Sequence, residues 1–347
     1  MSLDETISNT IPPEVTHEVP RHVFRPQQVP VRITAREWKL HGSLFALTMI
    51  TAILAGTFLI APEPDVLEPA LRTPIDYILY VPLSYLNSVA ALLQEIIQHP
   101  SLLVQGAAFA SSLLSILFAH EMGHYLACRY YGVSATLPYF IPAPPLFIAG
   151  TFGAFIKIRS PIPSRRALFD IGLAGPLAGF IVAIPISIIG LLATQPGLGQ
   201  PAHGIVFNDP LFFRLAARVL RIPLDPYSPI NPYYMAAWIG LLVTSLNLMP
   251  VGQLDGGHGT LSVFGATAHR IIGRVAFGVV AILALLGFWL HGSPSGFLYA
   301  VLLGVMLRVR HPQPATMEPL GLKRVVIAVI TLLVFVLCFV PFPITIH

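Results

Sequence analysis

Seven stretches of this chain are apolar over roughly fifteen to twenty-seven residues: 43–61, 102–128, 168–193, 233–250, 271–290, 294–308 and 323–341. About twenty apolar residues at helical rise cross the hydrocarbon core of a bilayer. Inside that core only a backbone that satisfies its own hydrogen bonds is tolerated, so runs of this length must be helices. Composition agrees: of 347 residues 55% are hydrophobic and only 10% charged, with mean hydropathy +0.74, against about 25% charged in soluble domains. The expected fold is an all-α polytopic membrane protein of about seven transmembrane helices.

Two further stretches are ambiguous. Residues 77–98 contain Pro82, Asn87, Gln94 and Glu95 and read as an interfacial or re-entrant helix. Residues 211–222 place Arg214, Arg218 and Arg221 at three-to-four spacing, the pattern of an amphipathic helix lying on a surface. The polar, proline-punctuated, basic residues 1–42 show no secretory signal and read as a cytosolic segment. With the N-terminus inside and seven crossings, sixteen of the 20 Lys and Arg fall inside. Only Arg72, Arg214, Arg218 and Arg221 remain outside, as the positive-inside rule requires. The two cysteines, Cys128 and Cys338, propose neither a disulfide framework nor a cysteine zinc site. No nucleic-acid partner is expected, and the oligomeric state is left open.

Against this apolar background the stretch HEMGH, residues 120–124, is costly: ionisable groups within a span are rarely kept without a task. Residues four apart return to one helix face, so His120 and His124 can offer ring nitrogens to one ion. Glu121 then stands where it can reach a water on that ion. This is the H-E-x-x-H arrangement of two zinc ligands and a general base. A catalytic zinc needs a third protein ligand and an open position. Asp255 is the best candidate, because the span 233–250 runs in the same direction as 102–128 and leaves Asp255 at the depth of the histidines. Pro250, Gly252, Gly256 and Gly257 suggest a broken helix there. A helix-capping role for Asp255 stays open on this reading. His258, three residues on, reads as a residue that supports the ligands or the fold rather than a fourth ligand that would exclude water.

HEMGH, the later NLMPVGQLDGG and the intervening GTFGAFIKIRSPIPSRRALFDIGLAGPLAGF together resemble the site-2 protease family of intramembrane zinc metalloproteases. The style is that of bacterial and chloroplast members without an obvious PDZ domain. The resemblance covers about residues 102–260. It implies one Zn2+ per chain on His120, His124 and Asp255, with Glu121 as base. It further implies cleavage of membrane-anchored proteins within or near their transmembrane segments, often after another protease has trimmed them. Asn247 matches the family's asparagine, which would hold substrate backbone or stabilise the oxyanion; an interhelical hydrogen bond is the open alternative. The chain then divides into a first helix with an outer loop and interfacial helix (43–101), a catalytic core (102–260) and C-terminal helices (261–347).

Residues 134–160 are too broken by proline to span, and TFGAFIKIRS is short and strand-like. The expectation is a membrane-associated β-hairpin or re-entrant loop whose edge holds an unwound substrate as an added strand, with Gly150, Gly153 and Phe155 as contact candidates. A plain connector is the alternative. AGPLAG, residues 174–179, reads as a close-packing stretch. Asp170 is expected to cap its helix or to pair with Arg165 or Arg166. His203, His269, His291 and His311 are expected to be solvated or interfacial. Competing functions are a metal- or proton-coupled transporter and a non-catalytic binder of transmembrane segments. The bacterial plasma membrane is the default location, with a plastid membrane the alternative.

Overall fold

A computed structural model describes residues 34–61, 74–144, 147–195, 205–225, 228–229, 231–309 and 314–346. Residues 1–33, residues 62–73 with Arg72, and His203, Arg310 and His311 lie outside the described residues. The described residues belong to one compact unit. It is mostly helical: α1 (Ala35–Ile60), α2 (Pro74–Gln98), α3 (Ser101–Tyr130), α4 (Arg165–Leu192), α5 (Leu211–Leu220), α6 (Pro232–Asn247), α7 (Asp255–His291), α8 (Ser295–Met306) and α9 (Leu322–Cys338). Four short strands complete it: β1 (Tyr139–Pro142), β2 (Thr151–Phe155), β3 (Ile205–Phe207) and β4 (Ile344–Ile346).

Among the described residues four helices, α1, α3, α4 and α7, are long and apolar enough to cross a membrane. Three other apolar runs fold into shorter helices of 16, 12 and 17 residues, α6, α8 and α9. Their limits have local causes. Pro250 and the positive φ of Gly252 (53°) follow α6, Pro294 precedes α8, and Pro341 and Pro343 follow α9. The run expected at 271–290 is longer than its apolar pattern, because α7 begins at Asp255. It is broken at Gly265, whose φ of 82° and ψ of 175° are not helical. Only glycine adopts that geometry readily.

The core lies where α3 packs against α1, α4 and α6. Phe109, Leu113, Leu117, Phe169, Trp238 and Leu241 are buried there. In α4, Ser164 accepts from the Ala167 amide as N-cap, so the cap is not Asp170. Nor does Asp170 pair with Arg165 or Arg166. It binds Arg324 of α9 through a two-pronged contact at 2.9 and 2.6 Å and accepts from the Tyr131 hydroxyl. Burial and the adjacent Asp170 push the Tyr131 phenol up to about 12, so it remains a donor. Arg165 instead turns to α7, donating to the carbonyls of Ser262 and, at 3.0 Å, Val263. Those acceptors are freed by the break at Gly265. His269 is likewise not solvated: it is buried and lies 2.9 Å from the Thr260 hydroxyl across the same break.

β1 and β2 pair antiparallel, with Tyr139 opposite Phe155, Phe140 opposite Ala154 and Pro142 opposite Thr151. One extra residue on β2 makes a bulge. Gly153 supplies the positive φ (102°) it needs, and its amide donates to Thr151 Oγ1. The bulge leaves Phe152 and Phe155 both exposed, at 59% and 46%. The ladder hangs on α1: His41 Nδ1 lies 3.0 Å from the Pro138 carbonyl, and Thr51 donates to the Gly150 carbonyl at 2.7 Å. Removing one partner of a fork-like charged pair costs about 1–3 kcal/mol. Arg324→Ala is therefore expected to lower the thermal midpoint of the detergent-solubilised chain, with Arg324→Lys recovering only part because it lacks the two-pronged geometry.

Candidate metal centre

His120, Glu121 and His124 lie in the second half of α3, and all three are buried. Their partner arrives from a turn that the local sequence builds tightly. Between α6 and α7 the chain folds back on itself, and Gly256 sits against the Leu248 carbonyl with no room for a Cβ. Asp255 thereby becomes the first residue of α7, with its carboxylate turned toward α3.

His120 Nε2 and His124 Nε2 are 3.1 Å apart, and Asp255 Oδ2 lies 3.2 and 3.4 Å from them. Three ligand atoms held by one ion at about 2.0–2.1 Å in tetrahedral geometry would be separated by about 3.3 Å. The chemistry of the donors points the same way. His124 Nδ1 is 2.7 Å from the Ile171 carbonyl oxygen, which can only accept, so Nδ1 carries the proton and Nε2 turns a lone pair inward. Two imidazole nitrogens and a carboxylate oxygen form a set short of positive charge, which a divalent cation completes.

Several backbone features make this arrangement possible. Gly175 of α4 faces the His124 ring, which a Cβ would overlap, and Gly179 faces the His120 side chain. The AGPLAG stretch thus makes space for the two imidazoles as well as bringing helices together. The backbone of Ile156, one residue past β2, lies near the Glu121 carboxylate. Neither the Ile171 carbonyl nor the Ile156 backbone has a side-chain signature in the sequence.

The remaining candidates are distributed around this centre. Asn247 Nδ2 is 3.4 Å from His120 Nε2, at the rim of the ligand triangle. His258 packs its Cβ against Gly172 of α4 and is not one of the three converging groups. Gly150 is seated on α1, with Thr51 and Ala52 against it. Gly153 forms the bulge, and Phe155 stacks on Tyr139 at 5.3 Å between ring centroids. Cys128 and Cys338 are both free and buried.

The family model of peptidase family M50 matches residues 108–288, a stretch that contains all three converging ligands. The chain belongs to peptidase family M50, the site-2 protease family. Among its curated relatives, a probable zinc metalloprotease of Arabidopsis thaliana, EGY2, chloroplastic, is 29% identical over 270 residues, 75% of this chain and 46% of the relative. EGY1 of Oryza sativa subsp. japonica, likewise a probable chloroplastic zinc metalloprotease, is 34% identical over 192 residues, 53% of this chain and 32% of the relative. EGY1 of Arabidopsis thaliana is 32% identical over 242 residues, 67% and 42% of the two chains. This M50 chain spans less than half the length of these relatives. No solved structure matches it. Zinc is the metal that the family and these relatives imply, and His120, His124 and Asp255 lie close enough together to hold it.

Elemental analysis of the purified chain is expected to give one zinc per chain, falling to near zero for His120→Ala or Asp255→Asn. Gly175→Val removes no ligand, yet it should lower zinc content by displacing the His124 ring.

Proposed function

We propose that this chain is an intramembrane zinc metalloprotease that hydrolyses peptide bonds within or near transmembrane segments of membrane-anchored proteins. The observation that carries the reading is the triangle of His120, His124 and Asp255 beside a buried Glu121, on helices apolar enough to lie in a bilayer. On this reading the chain crosses the membrane seven times, with α6, α8 and α9 as the short spans and the N-terminus in the cytoplasm, a topology that the distribution of basic residues favours. It sets the metal toward the cytoplasmic side of a bacterial plasma membrane or the equivalent side of a plastid membrane.

In this mechanism His120, His124 and Asp255 would hold the zinc, with the Ile171 carbonyl fixing the His124 ring. A zinc ion bound there would supply Lewis acidity for the hydrolysis. Glu121 takes the proton of the attacking water and passes it to the leaving amine. Asn247, at the rim, donates its amide to the substrate backbone or to the developing oxyanion.

Hydrolysis also requires an unwound substrate, because a helix keeps its carbonyls in hydrogen bonds. β1 packs on α1, and β2 lies on the α3 side next to Glu121. An extended substrate segment added along β2 would bring its backbone to the base. The exposed Phe152 and Phe155 offer it apolar contact, and they favour a ladder that dips into the bilayer. The substrates on this reading are transmembrane proteins, among them ones that another protease has trimmed.

Glu121→Gln is expected to lower cleavage of a reporter transmembrane helix by at least about a thousandfold while zinc content stays near one. A mutant that still cuts normally would remove Glu121 from the role of base. A chelator should abolish cleavage and added zinc restore it. Proline at Ala154 should impair cleavage at normal expression; undiminished cutting would reject docking along β2.

A further inference from the structure

Helix α5 carries three different faces. Phe213 and Ala217 are buried, with the Phe213 ring 4.6 Å from that of Tyr234 and the Phe212 ring 5.5 Å from that of Phe180. These contacts fix one face to the middle of α4, through Phe180, and to the start of α6, through Tyr234. Arg214 and Arg218, one turn apart, form a second face that Arg221 continues at the C-cap. Leu211, Leu215 and Val219 form a third, again at four-residue spacing. All six residues of the second and third faces are exposed, Val219 to 81%. None of the three arginines takes part in an ion pair among the described residues. Asp209, which feels the charge of Arg214, accepts instead from the Tyr234 hydroxyl.

We infer that α5 lies in the plane of the bilayer surface and that Arg214, Arg218 and Arg221 bind the headgroups of anionic lipids. The inference rests on the membrane placement given above and goes beyond it. A basic face alone would suit any anion, and a bare apolar face alone any apolar partner. Set side by side on a helix whose remaining face is fastened to the bundle, they match the boundary where acyl chains meet phosphate. Tyr234, against which Phe213 is seated, is the third residue of α6, so this part of the seat is at a helix end, where headgroups lie, while Phe212 reaches down to Phe180 in the middle of α4. A zwitterionic headgroup presents its phosphate beside a cationic amine. An anionic one presents net negative charge, and each arginine near it adds to the attraction.

The test places a bimane label at Val219→Cys in the full chain; buried Cys128 and Cys338 should leave that position as the reactive one. The labelled chain is reconstituted in mixed phosphatidylglycerol and phosphatidylcholine bilayers, with bromine on the acyl chains of one lipid or the other. Brominated phosphatidylglycerol is expected to quench more strongly, reflecting roughly two- to fivefold enrichment at the site. The preference should vanish in the triple variant R214Q/R218Q/R221Q and persist in R214K/R218K/R221K, which controls for misfolding. Equal quenching by both lipids, or a preference unchanged in the glutamine variant, would overturn the proposal. So would the absence of quenching by either lipid while a control label at the exposed Leu332 of α9 is quenched, since protein would then cover this face. If the Leu332 label also escaped quenching, the membrane placement itself would fail, and the lipid site with it.

Discussion

A charged ligand among apolar helices persists only if each of its polar atoms has a partner, and the architecture around residues 120–124 follows from that requirement. The two imidazoles and the Asp255 carboxylate face one another. The outward nitrogen of His124 rests on the Ile171 carbonyl, and the Glu121 carboxylate lies near the Ile156 backbone. Farther out, Asp170 next to Ile171 is tied to Tyr131 and Arg324. The helix that supplies the orienting carbonyl is thereby fastened both to the ligand helix and to α9. Arg165, at the start of the same helix, grips α7 just before its break, on the half of α7 that Asp255 begins. The polar contacts converge on holding three short distances.

Much of the site was legible because its chemistry is written in residue types at fixed offsets. His120, Glu121 and His124 follow from helical periodicity. Asp255 follows from tracing the direction of two separate spans, and the resemblance supplied an independent reason for it. The parts that escaped are those in which a backbone atom acts. Any residue offers a carbonyl or an amide, so Ile171 and Ile156 look like ordinary apolar positions. The glycines at 175 and 179 were read as helix-packing residues, since sequence cannot say which side chain fills the space they leave.

The fold was legible in kind and less so in measure. Apolar runs located the helices, but helix length is set where backbone geometry or tertiary contact ends it. Hence α6 stops at Asn247, and α7 extends upstream to Asp255 through glycines that a propensity argument disfavours. Asp170 and His269 were misjudged for one reason: their partners are distant in sequence or lie across a break, and proximity along the chain suggested nearer or wetter ones.

The Ile171 acceptor has a consequence for how this centre tolerates genetic drift. A main-chain oxygen cannot be deleted by changing the residue that bears it, so no codon at position 171 encodes its loss. Sensitivity passes instead to neighbours whose lack of bulk sets the spacing between backbone and ring. The selective burden of orienting a histidine thus falls on positions with no chemistry of their own.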